Sequence, residues 1–466
     1  MSKKTKKTDI LFFALLALTL CLLIYKAPYG FGQNDESFYL TVPYRMAQGD
    51  TLLADEWHPS QLTGFLLYPA LKLYLAITGT TEGIILSFRF IFSAVQILAS
   101  LFFYYQARKY SAIGAAIASL VFTLYAPFNL MALSYNSLGL ILLMSSCVMI
   151  LNCDNWGKRF ASGILFAGAV LCCPYLLLMY LVYSAVFVVA RVKQKKHVRE
   201  WLCFTAGAAS LAAVFLGYIF TRVTIDAVIE GIRQLFLDPE HVSGSGNGLL
   251  AYFRALYGAH PFSIYIFSGI ALLTVIIVLD KDKFGARRLL YSVLSAAITA
   301  IYYGNFVVAG YVNYLMYPLT IMGWFAYLLS INPMKKKWLI WMFIPGLLYG
   351  MLICLGSNQG YYVISSAATI SSMASIMMIA NLVGEIVKKS EYKAQMKNKA
   401  FFAAGVLSAL LVFQIGIETH YRLTYTFGDN FPNMLEQYLP KDRKKVLLLR
   451  RKTLIATKPY LQIPRK

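Results

Sequence analysis

The stretch "DILFFALLALTLCLLIYKAPYGFGQNDESFYL", residues 9 to 40, decides what kind of molecule this is. Its first part, from about 10 to 26, is an apolar run on the scale of a bilayer core. Its second part turns polar and sets two acids, Asp35 and Glu36, side by side. The flank ahead of it, Lys3 to Lys7, is basic, and no small-residue cleavage pattern closes the run, so an uncleaved first membrane helix is expected. Apolar runs of this kind recur as far as Ile417. The 466 residues are 59% hydrophobic and 14% charged, against about 25% charged in soluble domains. The expected fold is therefore all-α: a polytopic integral membrane protein with no large soluble domain.

A net charge of +22 would point to nucleic acid in a soluble chain. Here the Lys and Arg residues stand in short clusters between apolar runs. They read as topology signals and contacts to membrane lipids, with no nucleic acid involved. Cys21, Cys147, Cys153, Cys172, Cys173, Cys203 and Cys354 lie almost all within or beside apolar runs and read as small buried thiols.

The basic clusters are Lys3 to Lys7, Arg108 with Lys109, Lys158 with Arg159, Arg191 to Arg199, Lys281 to Arg288, Lys335 to Lys337, and Lys388 to Lys399. If all are cytoplasmic, an even number of crossings separates each from the next. The apolar segment at 63–78, carrying Pro69 and Lys72, must then dip into or lie along the outer leaflet. The segment from Phe160 to Ala190 must be a hairpin of two short helices broken at Cys173 and Pro174. About thirteen crossings result, with the N-terminus inside. A membrane module over 1–417 would carry large outer loops at about 26–83 and 222–261, followed by a basic outer tail at 418–466. A twelve- or fourteen-span arrangement stays open because that tail breaks the charge bias. The run "SGSGNG", Ser243 to Gly248, is a hinge or lid candidate.

With no soluble domain, any chemistry falls to the outer loops and helix ends. The first loop is acidic, with Asp35, Glu36, Asp50, Asp55 and Glu56 against Lys26 and Arg45. After the acidic pair, Phe38, Val42, Tyr44, Arg45 and Met46 can line one face of a short membrane-parallel helix ended by Gly49. The pair would sit at its N-terminal end. There the helix dipole favours carboxylates, so capping alone is one account of it.

The acidic pair after the first span, the following aromatic and the later glycine together resemble the GT-C superfamily of membrane glycosyltransferases. The nearest likeness is to the bacterial branch of protein O-mannosyltransferases and lipid A aminoarabinose transferases. The likeness continues through His58 with Pro59, Tyr68, Gly79 with Glu82, Arg89, and Tyr105 with Arg108 and Lys109. It reappears late in "GYVNYLMYPLTIMGW" at Tyr314 and Pro318. The resemblance implies transfer of a sugar from a polyprenyl-phosphate donor to a glycan, lipid or protein acceptor at the outer face of the plasma membrane.

Within it Asp35 is the expected general base, because an attacking hydroxyl must lose its proton. Glu36 would orient it, bind acceptor hydroxyls or help hold a divalent cation, Mg or Mn. His58, Arg89, Arg254, His260, Asn313 and Tyr314 are the expected donor-phosphate ligands, and Asn136 assists the acceptor or a metal. The sequence departs from the pattern at His58, where lysine is common, and at Asn136, where an acid is common. It also lacks the arginine often found near the late tyrosine. Each of these residues also has a plainer reading. His58 can cap a turn, Arg89 can snorkel, Arg254 and His260 can meet headgroups, and Tyr314 can belong to an aromatic belt. A lipid-linked sugar transporter or flippase, a polysaccharide polymerase or ligase, and an inactive scaffold are the competing functions. The near-absence of charge inside the spans weighs against transport.

Overall fold

The computed structural model describes residues 3–28, 33–56, 58, 60–152, 155–191, 195–235, 262–307, 315–353, 361–388 and 394–424. Among these residues there is no strand, only an isolated bridge between Leu52 and Glu56. The helices are α1 Lys3–Lys26, α2 Gln33–Gln48, α3 Thr63–Thr78, α4 Ile84–Ala107, α5 Ala112–Leu124, α6 Tyr135–Leu151, α7 Trp156–Cys172 and α8 Leu176–Arg191. There follow α9 Lys195–Phe220, α10 Ile225–Leu235, α11 Ser263–Leu279, α12 Arg287–Tyr302, α13 Tyr317–Leu329, α14 Met334–Ile353, α15 Tyr361–Lys388 and α16 Ala394–Thr424. Seven described helices (within α1, α4, α9, α12, α14, α15 and α16) are long and apolar enough to cross a membrane. This is the all-helical polytopic membrane architecture expected from composition.

Local chemistry sets many of the boundaries. Ser111 accepts a hydrogen bond from the Gly114 N–H and starts α5, and Asn155 does the same from Lys158 at α7. Ser134 and Ser137 cap α6 reciprocally. The expected break at Cys173 and Pro174 separates α7 from α8. Within α14 the residues Leu339–Phe343 form a π-helical stretch.

Small residues let the helices close up. A Cβ on Gly163 would stand 2.0 Å from the Phe204 carbonyl oxygen, and one on Gly207 1.9 Å from that of Phe160. The α7–α9 crossing is thus a backbone-to-backbone approach. Helix α15 runs through the centre with Ser366, Thr369, Ser371, Ser372 and Ser375 buried. Ser371 Oγ donates to the Phe343 carbonyl at 2.7 Å and Ser372 Oγ to that of Met316 at 2.8 Å. Hydroxyls facing neighbouring backbones in this way satisfy polar atoms that lipid or core cannot.

The bundle has two polar ends. At one, the Tyr104 hydroxyl donates to Asp9 and Arg108 stands 3.5 Å from the same carboxylate, joining the start of α1 to the end of α4. Glu385 at the end of α15 is bonded by Arg288 and accepts from the backbone N–H groups of Ile331 and Asn332, both at 3.0 Å. The opposite end gathers the end of α1, the start of α4, the α5–α6 connection and the end of α16. Helices α2 and α3 lie against it as an antiparallel hairpin. Gly64 of α3 meets Val42 and Met46 of α2, and Leu71 of α3 joins Leu40 of α2 and Ile84, Ile85 and Phe88 of α4.

One boundary differs from expectation. Helix α16 does not stop at Ile417 but continues to Thr424, with Glu418, Tyr421 and Arg422 buried. Their charges read as the start of a polar tail, but buried partners take them into the core.

Candidate active site

Asp35 and Glu36 occupy the first turn of α2. Successive residues of a helix point about 100° apart, and the two carboxylates accordingly meet different surroundings. Glu36 is buried, and Arg89 of α4 engages both of its oxygens, with Nη2 donating to Oε2 at 2.6 Å. The same guanidinium donates from Nη1 to the Ala27 carbonyl at 2.6 Å. Three described donors of Arg89 are thereby taken up. In this arrangement Arg89 faces Glu36 and the Ala27 carbonyl, and Glu36 faces Arg89. Together they bolt α2 onto α4.

Asp35 is exposed and makes no ion pair among the described residues. Enough protein crowds it for desolvation to raise its pKa above the ordinary carboxylate value. One turn on, the Tyr39 ring meets Tyr135 edge to face at 5.9 Å between centroids. Burial first, then Tyr135 and Asp35, hold the Tyr39 phenol well above its usual pKa, so it stays a neutral donor. Pro43 removes the backbone N–H that would bond the Tyr39 carbonyl in an unbroken helix. Asn136, in the first turn of α6 beside Tyr135, is buried with Oδ1 unpartnered among the described residues.

The other acids of the first loop are spoken for. Arg45 donates to Asp50 at 2.6 Å, to Glu56 at 2.8 Å and to the Asp55 carbonyl at 2.7 Å. Leu53, at φ 65°, is held by its N–H to Gln61 Oε1 at 2.6 Å. His58 belongs to this clasp: its Nδ1 accepts from the Ser60 N–H at 3.2 Å, which leaves the neutral ring's proton on Nε2. Its ring packs against Phe38, one turn along α2 from Asp35, at 4.6 Å. His58 is therefore brought to the α2 side of the site.

Arg254, His260, Asn313 and Tyr314 lie outside the described residues, as does the Ser243 to Gly248 run. Among the described residues no three His, Cys, Asp or Glu side chains come together. With Glu36 turned to Arg89, Asp35 is the carboxylate left at the pair.

Sequence reading missed Lys26, Asn129 and Arg422. Asn129, at φ 58°, ends the short 3-10 turn Pro127–Asn129. Its Oδ1 accepts from Lys26 Nζ at 3.1 Å and from Arg422 Nη1 at 2.6 Å. Arg422 Nε donates to the Leu124 carbonyl at 2.7 Å. The one signal available was Lys26 ending an apolar run. Nothing local to Asn129 or Arg422 distinguishes them.

No family model matches the chain, and no curated protein matches it. Among solved structures, it is similar to the oligosaccharyltransferase of Archaeoglobus fulgidus in its apo form, at 12% identity and a TM-score of 0.48. That match covers 97% of this chain and 60% of the other, so this chain spans well under two thirds of that protein's length. At this level the likeness defines neither an activity nor a substrate here.

Proposed function

We propose that the chain is an inverting glycosyltransferase that moves a sugar from a polyprenyl-phosphate donor to a glycan, lipid or protein acceptor at the outer membrane face. The observation that carries this reading is Asp35: a carboxylate without an ion-pair partner among the described residues, desolvated, on a rigidly bolted helix start, beside two tyrosines. The acceptor hydroxyl gives its proton to Asp35. Its oxygen bonds the anomeric carbon from the side opposite the phosphate, and the carbon–oxygen bond to phosphate breaks, releasing the lipid phosphate. Tyr39 and Tyr135 offer the aromatic wall and hydroxyls that a sugar needs. Glu36 and Arg89 fix where Asp35 sits. His58, on the α2 side of the site, and Asn136, through Oδ1, are proposed substrate contacts. Arg254, His260, Asn313 and Tyr314 remain proposed donor contacts.

The test is Asp35→Asn. Purified variant given membrane extract containing lipid-linked sugars should lose transfer while eluting and melting like a folded protein. Undiminished transfer by Asp35→Asn overturns the reading. Movement of a lipid-linked sugar across liposomes with no covalent transfer would replace it with the transporter reading.

A further inference from the structure

Helix α10, Ile225–Leu235, divides its side chains into three sectors. Ile225, Ile229 and Ile232, at spacings of four and three, share a stripe about 60° wide at about 100° per residue. They are 61%, 59% and 43% exposed. Asp226, Glu230 and Arg233 form a second exposed edge, where Arg233 stands 3.8 Å from Glu230. The third sector faces protein. Ala227 and Val228 pack on the cluster that holds Val42, Met46 and Leu53. Gly231 lies in the same sector, and a Cβ there would stand 1.9 Å from the Leu53 carbonyl oxygen. That backbone-to-backbone approach fixes how α10 is rolled, so the isoleucine stripe cannot turn inward without breaking it.

The chain just before α10 indicates what lies against the stripe. From Val198 to Phe220, α9 is long and apolar enough to cross a membrane. Val214, Leu216 and Phe220 near its end are exposed, as side chains that meet acyl chains are. Two cation–aromatic pairs then follow the hydrocarbon. The Arg222 guanidinium lies over the Tyr218 ring at 4.2 Å, and the Lys72 ammonium over the Tyr68 ring at 5.7 Å. Tyr218 is within electrostatic range of Tyr68, and its ring is 5.4 Å from that of Phe65. Arg222 and Lys72 are both exposed. Tyrosines carrying exposed cations mark the headgroup level, the ring being amphipathic and the cation able to reach lipid phosphates. Ile225 comes three residues after Arg222.

We infer that α10 is an interfacial helix whose partner is the lipid surface itself. The Ile225, Ile229 and Ile232 stripe sinks among acyl chains, the Asp226, Glu230 and Arg233 edge stays in water, and the Gly231 side holds the loop that follows α2. The stripe continues the lipid-facing surface of α9 past the turn at Arg222. Through the Leu53 contact, the depth of α10 is also the depth of that loop. The inference does not depend on the proposed reaction.

The experiment makes Ile225→Cys, Ile229→Cys, Ile232→Cys, Asp226→Cys and Glu230→Cys singly in the full-length protein. Each is labelled with a nitroxide and reconstituted in phosphatidylcholine vesicles, and the parent protein taken through the same labelling is the blank. These positions are exposed, so the substitutions leave the core untouched. Power saturation then reads collisions with oxygen, which partitions into lipid, and with a water-soluble nickel chelate. Labels at the isoleucine positions should favour oxygen severalfold over the chelate, and labels at the acidic positions should show the reverse. Ready access of the chelate to all of them overturns the proposal, because the stripe then stands in water. Low access of both reagents to the isoleucine positions also overturns it, because protein then covers the stripe. In that case dipolar broadening that vanishes on mixing with unlabelled protein identifies the cover as a second copy, and its absence identifies the chain itself.

Discussion

Asp35 and Glu36 are chemically alike and adjacent, yet their environments give them opposite tasks. Because desolvation raises the Asp35 pKa, the ionised form that the proposed base chemistry needs is lost on acidification earlier than an ordinary aspartate's near 3.9. The acid limb of a transfer–pH profile should therefore lie above that value and disappear from the residual activity of Asp35→Asn. Stability carries the same sign. A carboxyl with a raised folded-state pKa binds protons more tightly when folded, so it weakens the fold as pH rises from the unfolded toward the folded value. Asp35→Asn should consequently melt slightly higher than wild type at neutral pH, with the gap closing below pH about 4. Glu36→Gln or Arg89→Gln should instead cost about 3–5 kcal/mol, the penalty for breaking a buried ion pair. Thermal melts of single and double variants check this, and the double loss should fall well short of the sum. The sequence showed that an acidic pair followed the first span. It could not show which acid turns inward, because the deciding partner, Arg89, is on another helix and was expected among the donor-phosphate ligands.

Among the elements, hydropathy was legible and charge at helix ends was not. The break at Cys173 and Pro174 followed from length and proline chemistry. The short helix after the acidic pair was expected from its apolar face, ending where Gly49 takes φ 113°. By contrast, the end of α16 was misplaced because Glu418 and Arg422 were read as solvated. Glu418 is bonded by Gln414 one turn earlier on the same helix, and Arg422 reaches Leu124 and Asn129 across the bundle. The α7–α9 crossing gives a direct test at this scale. Gly207→Leu puts a side chain where the Phe160 carbonyl already stands, so the helices must separate. The expected result is a loss of several °C in melting temperature, larger than for Gly217→Leu, where a Cβ meets nothing within 4 Å.

For the whole molecule, the two polar ends order the helices without reference to any membrane. Asp9 with Tyr104, and Ala27 with Arg89, tie the opposite ends of α1 and α4 and fix them as antiparallel. The α3 helix spans about 24 Å at 1.5 Å per residue, short of a core of about 30 Å. Its packing on α2 suits a hairpin lying beside the bundle end. A cysteine placed at Thr80, in a background lacking the exposed Cys21, should react with an impermeant maleimide applied outside intact cells. Labelling only after permeabilisation would require α3 to cross and would invert the assignment of every later helix end.

The Arg422–Asn129 contact joins residues 422 and 129 across most of the chain. During synthesis, therefore, the cluster with Lys26 stays incomplete until the last described helix has left the ribosome and entered the bilayer. A nascent chain can seat its early helices and carry Asp35 in place, yet the contacts of Asn129 with Tyr421 and Arg422 are not yet made. The late helix acts as the closing piece of assembly, so a shortened translation product would lack the contacts that hold the α5–α6 connection against α16.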